Sequence, residues 1–217
     1  MPSFMSETEI KSRIKLSAHN LMMQFGIRSV SMDDIATDMG ISKKTIYQSF
    51  TDKDELVEAV INTVLEKNQD CCTADKQRAS NAVHEIFLAL EMMVDMFRSM
   101  NPSILFDIQK YHPAAFRKFL THKNDFLYSM MKQNIERGIK EELYRPEINV
   151  EIMSRFRVDS MMLPFNPDFL HKVKSNLLEV EQHIMTHWVF GLVTPRGYKM
   201  VLKYIRQHNK QSSAKNN

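Results

Sequence analysis

Two cysteines, five glycines and seven prolines are all that this chain of 217 residues holds of the types that staple or break a backbone. Cys71 and Cys72 are adjacent, a spacing that rarely bridges, so no disulfide framework is available. They read as two idle thiols of a reducing compartment. No apolar run approaches the roughly 20 residues of a membrane span, and Trp188 to Val193 is far too short. Met1 to Lys11 has no apolar block of the signal-peptide kind. The expected location is therefore the cytoplasm, with no membrane partner. Strong charge of one sign is also missing: the net is +3, which by itself gives no reason to expect nucleic acid. The first 67 residues carry eight Lys and Arg against ten Asp and Glu, a net of −2. The surplus lies in the tail, with Lys203, Arg206, Lys210 and Lys215 and no acid.

What is present is helical periodicity. Apolar residues make up 43 % of the chain, and they recur at three and four rather than alternating, which predicts an all-α fold. Ile14, Ala18, Leu21, Met22 and Phe25 share one face of a first helix, ended by Gly26. Ser31 caps a second helix, with Asp34 as the return half of a capping box. Ile35, Ala36 and Met39 form its inner face. Gly40 turns the chain, Ile41 plugs the turn, and Ser42 caps a third helix reaching about Ser49. A fourth begins at Thr51 and Asp52 and runs to about Asn68 on Leu56, Val57, Val60, Ile61, Val64 and Leu65. Gln69 to Ser80 is polar and aperiodic, so the domain boundary is expected there. Later helices are expected from Val83 to Asn101, from Pro113 past Ile135, over Glu147 to Leu163 and over Asp168 to Phe190. Gly191 is expected to stop the last of these. Thr194 and Pro195 then start a final helix.

Ser31 to Phe50 is the most informative stretch, because two short capped helices joined by a glycine turn form a helix-turn-helix. Such a motif sets the N-terminal turns of its second helix in the major groove. Lys43, Lys44 and Gln48 have the reach and the donors for base edges. Ser42, Thr45, Tyr47 and Ser49 are candidates for phosphate, thymine-methyl or hydrogen-bond contacts, Tyr47 alternatively packing under Phe50. The backbone after Ser31, at Met32, points donors at a phosphate, and Lys53 reads either as a phosphate clamp or as the partner of nearby acids.

On these residues the stretch from about Ile10 to Lys67 resembles the DNA-binding domain of the TetR family of transcriptional regulators. The resemblance rests on Ile14 and Ala18, Phe25-Gly26, Asp34-Ile35-Ala36, Met39-Gly40-Ile41-Ser42, Thr45-Ile46-Tyr47, Phe50, Lys53 and Leu56. It implies a three-helix head over 8–68, including a linking fourth helix, and a helical ligand-binding and dimerisation domain over 78–209. A disordered tail is expected over 210–217. It also implies a homodimer, more often a repressor than an activator, that binds a pseudo-palindromic operator in double-stranded DNA. A small-molecule effector releases it; no cofactor is expected.

The second half is rich in Met and Phe, and Met93, Met96, Phe97, Phe106, Phe126, Met130, Phe156, Met161 and Phe165 are candidates for an apolar pocket or for ordinary core. His183 and His187 lie four apart, a spacing that suits a metal but lacks a third ligand, so they read as a pocket or dimer-face pair. With Tyr198, Val201, Leu202 and Ile205 they make the candidate dimer surface, two helical hairpins forming a four-helix bundle. No nucleophile–base constellation, phosphate loop or paired carboxylates argue for an enzyme. A DNA-binding architectural protein without an effector is the remaining alternative.

Overall fold

The computed structural model describes residues 6–98 and 100–215, with side chains to Gln207. The chain forms two compact units, Met1–Asn68 with Ser99–His122, and Gln69–Arg98 with Lys123–Asn217. No strand occurs among the described residues; Tyr144 and Val193 make one isolated antiparallel bridge.

The first unit holds α1 (Glu7–Phe25), α2 (Met32–Met39), α3 (Lys43–Ser49), the start of α4 (Lys53–Arg78), α6 (Ile104–Tyr111) and α7 (Pro113–Thr121). Ser31 and Asp34 close the expected capping box on α2, and the Ser42 hydroxyl accepts the Thr45 N–H at 3.1 Å. Gly40 is left-handed at φ 64°, the conformation that costs a side-chain-bearing residue most, which is why glycine makes this turn. Ile14, Ala18, Met22, Ile35, Ile46, Phe50, Leu56 and Val57 form the core. Phe25, expected on the inner face, is instead exposed at the end of α1. Ile104, Ile108 and Ala115 complete this core from α6 and α7. The head therefore extends beyond the expected 8–68.

The second unit holds the rest of α4, then α5 (Ala82–Arg98), α8 (Tyr128–Lys140), α9 (Val150–Ser160), α10 (Pro167–Val173), α11 (Leu177–Leu192) and α12 (Pro195–Lys215). A π-helical turn, His122–Leu127, joins α7 to α8. α5 packs on α8, α11 and α12, and α8 packs on α9. Val83, Ile86, Leu90, Ile135, Tyr144, Val158, Trp188 and Leu192 are central to the core. Gly138 allows α8 to approach the Tyr144 ring, since a Cβ there would sit 2.0 Å from it. Glu141 accepts the Ala82 N–H at 2.7 Å, which caps α5, and Arg137 joins Glu141 to buried Glu85.

Several boundaries differ from expectation. Gln69 to Arg78 is helix, because a solvated helix needs no apolar period. The helix expected over Glu147 to Leu163 is the shorter α9, and Gly191 lies inside α11. The tail expected to be disordered from 210 continues α12 to Lys215, no glycine or proline following Gly197; Asn216 and Asn217 lie outside the described residues.

Candidate nucleic-acid interface

α3 is about two turns long, and its two faces are chemically opposite. Ile46 is fully buried beneath it with Phe50 just beyond, whereas Lys43, Lys44, Tyr47 and Gln48 are exposed. Tyr47 is 46 % exposed, which places its ring outside the core rather than under Phe50. The Lys43 ammonium lies 6.0 Å above that ring and 2.8 Å from Asp33 Oδ2, whose hydrogen bond raises the lysine pKa. Lys44 and Gln48 have no partner among the described residues. The Ser42 and Thr45 hydroxyls are 2.8 Å apart at the N-terminal end of the helix, and Ser49 is half-buried.

The acids of α2 are held close to the protein. Asp34 is fixed by the Ser31 hydroxyl and N–H, bonds that lower its carboxyl pKa. Asp38 accepts the Ser17 hydroxyl at 2.6 Å, and Asp33 holds Lys43. Ser31 is exposed; the Met32 side chain is buried, which leaves only its backbone for a phosphate.

Lys53 takes a different place from the expected clamp. Its ammonium donates to the Ile27 carbonyl at 2.7 Å and reaches the Arg28 carbonyl at 3.4 Å, and burial lowers its pKa. The turn between α1 and α2 leaves these carbonyls without helical partners, and a half-buried cation there is a structural tie.

One set of residues has almost no sequence signal. Asp107, 5 % exposed, accepts the Arg28 N–H at 3.0 Å. Asn101 donates its N–H to the Met23 carbonyl at 2.7 Å and its amide to the Gln24 carbonyl at 3.4 Å. The end of α1 and the turn that follows it are thus bonded to a segment some 80 residues away. An aspartate on the inner face of an amphipathic α6 was the only clue.

Residues 16–60 match the family model described as bacterial regulatory proteins, tetR family. That segment is a TetR-family domain. The chain's relatives include an HTH-type transcriptional regulator of Bacillus subtilis, YvaF, 22 % identical over 80 % of this chain and 90 % of its own. Another, from Staphylococcus aureus, is 26 % identical over 58 % of this chain and 69 % of its own. Among solved structures, a TetR-family regulator from Agrobacterium tumefaciens shares the fold with a TM-score of 0.71 at 13 % identity, covering 87 % of this chain and all of that one. A transcriptional regulator from Saccharomonospora viridis, solved with choline, gives 0.68 at 16 % identity over 86 % of this chain and 99 % of that one. The protein is a DNA-binding transcriptional regulator.

The structure does not gather the nine apolar pocket candidates. Met93 and Met130 are core, and Phe126 packs against it. Phe97 and Phe165 stack edge to face at 5.6 Å, and Met96 and Met161 are half-buried. Phe106 is exposed and lies in the first unit, since it faces away from the buried side of α6. Only Phe156 lines a cavity of about 660 Å³ between α9, the 163–165 turn and α11, alongside residues that apolar composition did not flag. Of the dimer candidates, Val201 is fully buried in the core of its own unit, a correction that follows from its position on the inner face of α12. His183, His187 and Tyr198 are exposed, and Leu202 and Ile205 are half-buried. No helix among the described residues is long and apolar enough to cross a membrane.

Proposed function

We propose that this regulator is a homodimeric repressor that binds a pseudo-palindromic operator and leaves it when a small molecule binds the second unit. The observation that carries the reading is α3. Its exposed face concentrates Lys43, Lys44, Tyr47 and Gln48, while its other face is anchored by Ile46. Lys44 and Gln48 are the base-reading candidates, Lys43 reaches DNA by exchanging Asp33 for it, and Ser42, Thr45, Tyr47, Ser49, Ser31 and the Met32 backbone supply positioning contacts.

A seven-residue recognition helix is too short for a specific site alone. Two heads about 34–36 Å apart read one face of the duplex. The surface offered for dimerisation is that of α12 with the adjoining face of α11, through Tyr198, Leu202 and Ile205; His183 and His187 line the cavity beside Phe156 instead. Release is a population shift, in which the ligand binds the DNA-incompetent arrangement more tightly. That a regulator of this fold was solved with choline supports a small-molecule role for the second unit. Selection from a random DNA pool at fixed salt should enrich a palindrome with half-sites one helical turn apart. Enrichment of a single half-site rejects the dimer; enrichment of nothing rejects the repressor.

A further inference from the structure

The cavity between α9 and α11 has a lining whose chemistry selects among ligands. Phe156, Met162, Leu163 and Ile184 give it an apolar wall. Its polar groups are Asp159, Ser160, Asn166, His183 and His187. No lysine or arginine is among its described lining residues, and Lys123 and Arg157, which contact its helices, are already engaged. Buried Lys123 holds Asp159 Oδ1 at 2.8 Å, and Arg157, fully buried, is paired with Glu181. Ser160 is also committed, donating to the Arg157 carbonyl at 2.7 Å. The Asn166 carbonyl oxygen caps α10. What remains open is the second carboxylate oxygen of Asp159, the amide N–H₂ of Asn166 and two imidazoles. Neither His183 nor His187 has a partner among the described residues.

From this we infer that the cavity is the effector site of the regulator proposed above, and that it takes an aromatic molecule carrying a hydrogen-bond donor, uncharged or cationic, and rejects anions. The inference rests on the effector reading and adds its location and ligand class. The volume lies within the roughly 300–1,000 Å³ of small-molecule sites. A ring packs against Phe156, Met162 and Ile184, while its hydroxyl or amine donates to an imidazole one helical turn from the next. An anion meets the free oxygen of Asp159, whose charge Lys123 already answers, and finds no unpaired lysine or arginine among the lining residues, a desolvation cost with little return. The bound molecule touches both α9 and α11, the two helices that the Arg157–Glu181 pair joins. In that pair Arg157 Nε and Glu181 Oε2 have no hydrogen-bond partner among the described residues.

The probes are 2-naphthol and naphthalene-2-sulfonate, which share a ring and differ in charge. Equilibrium dialysis against the full-length chain should show one saturable naphthol site per chain and at least tenfold weaker sulfonate binding. Phe156→Ala removes an exposed ring without touching the core and should weaken naphthol about tenfold. His183→Arg supplies the missing cation at a partnerless position and should reverse the preference. Equal binding of the two probes, no naphthol binding, or an unchanged affinity in Phe156→Ala overturns the assignment. Operator binding by the ligand-free proteins is measured in parallel. DNA selected normally while naphthol fails removes only the cavity; failure to select DNA removes the repressor reading itself.

Discussion

Lys44 and Lys53 both sit at the start of a helix in the head, and the structure gives them opposite roles. Lys44 is exposed and unpaired among the described residues, so it is available to displace a counterion from DNA. Lys53 is engaged by the Ile27 carbonyl. Replacing Lys44 with alanine should reduce the slope of log affinity against log salt by about 1. Lys53→Ala should leave that slope unchanged and lower the melting temperature; a slope change would return Lys53 to the interface. A second residue sets an acid limit. His122 is buried, its Nε2 2.9 Å from Asn68 Oδ1, and burial lowers its pKa from the ordinary 6.5. The unfolded chain then binds the proton first, so stability falls as pH drops below about 6.5 and the loss is complete once the folded-state pKa is passed. Urea midpoints of the native chain and of His122→Gln, taken between pH 8 and 5, should diverge, the variant being the flatter. Parallel curves would assign the acid loss elsewhere.

At the scale of helices, the parts legible in the sequence are those with a local cause. The Ser31–Asp34 box, the Ser42 cap, the Gly40 turn and the Thr194–Pro195 start all depend on residues within a few positions of each other, and each lies where local chemistry puts it. The extension of α4 through Arg78 was hidden because its exposed end carries no apolar stripe. The ligand cavity was hidden for another reason: a methionine or phenylalanine looks the same in sequence whether it fills a core, like Met130, or borders a space, like Phe156. Gly138 was also silent, since its meaning comes from the Tyr144 ring that closes over it. Gly138→Ala forces ring and helix apart and should cost about 1–3 kcal/mol, as overpacked cores do. Pairing it with Tyr144→Leu should recover part of that loss in thermal unfolding; an additive loss would show that the two residues do not compete for space.

For the whole molecule, the division of the chain matters more than its helix count. The head takes its first part from the chain up to Asn68 and its last from Ser99–His122, with α5 belonging to the other unit between them. A fragment ending at Asn68 keeps every residue of the recognition motif but loses Ile104, Ile108 and Ala115 from its core and the Asp107 and Asn101 bonds to the end of α1. It should bind an apolar dye and unfold at lower urea than the head within the intact chain; an equally stable fragment would show that α6 and α7 are dispensable. The interleaving also orders events during synthesis. When the motif of residues 31–50 leaves the ribosome, its core still lacks a side that emerges only after about 70 more residues, so the DNA-reading part is translated early and finished late. Swapping heads between regulators at the end of the matched family segment would sever the same contacts. A productive graft has to carry two separate pieces of chain.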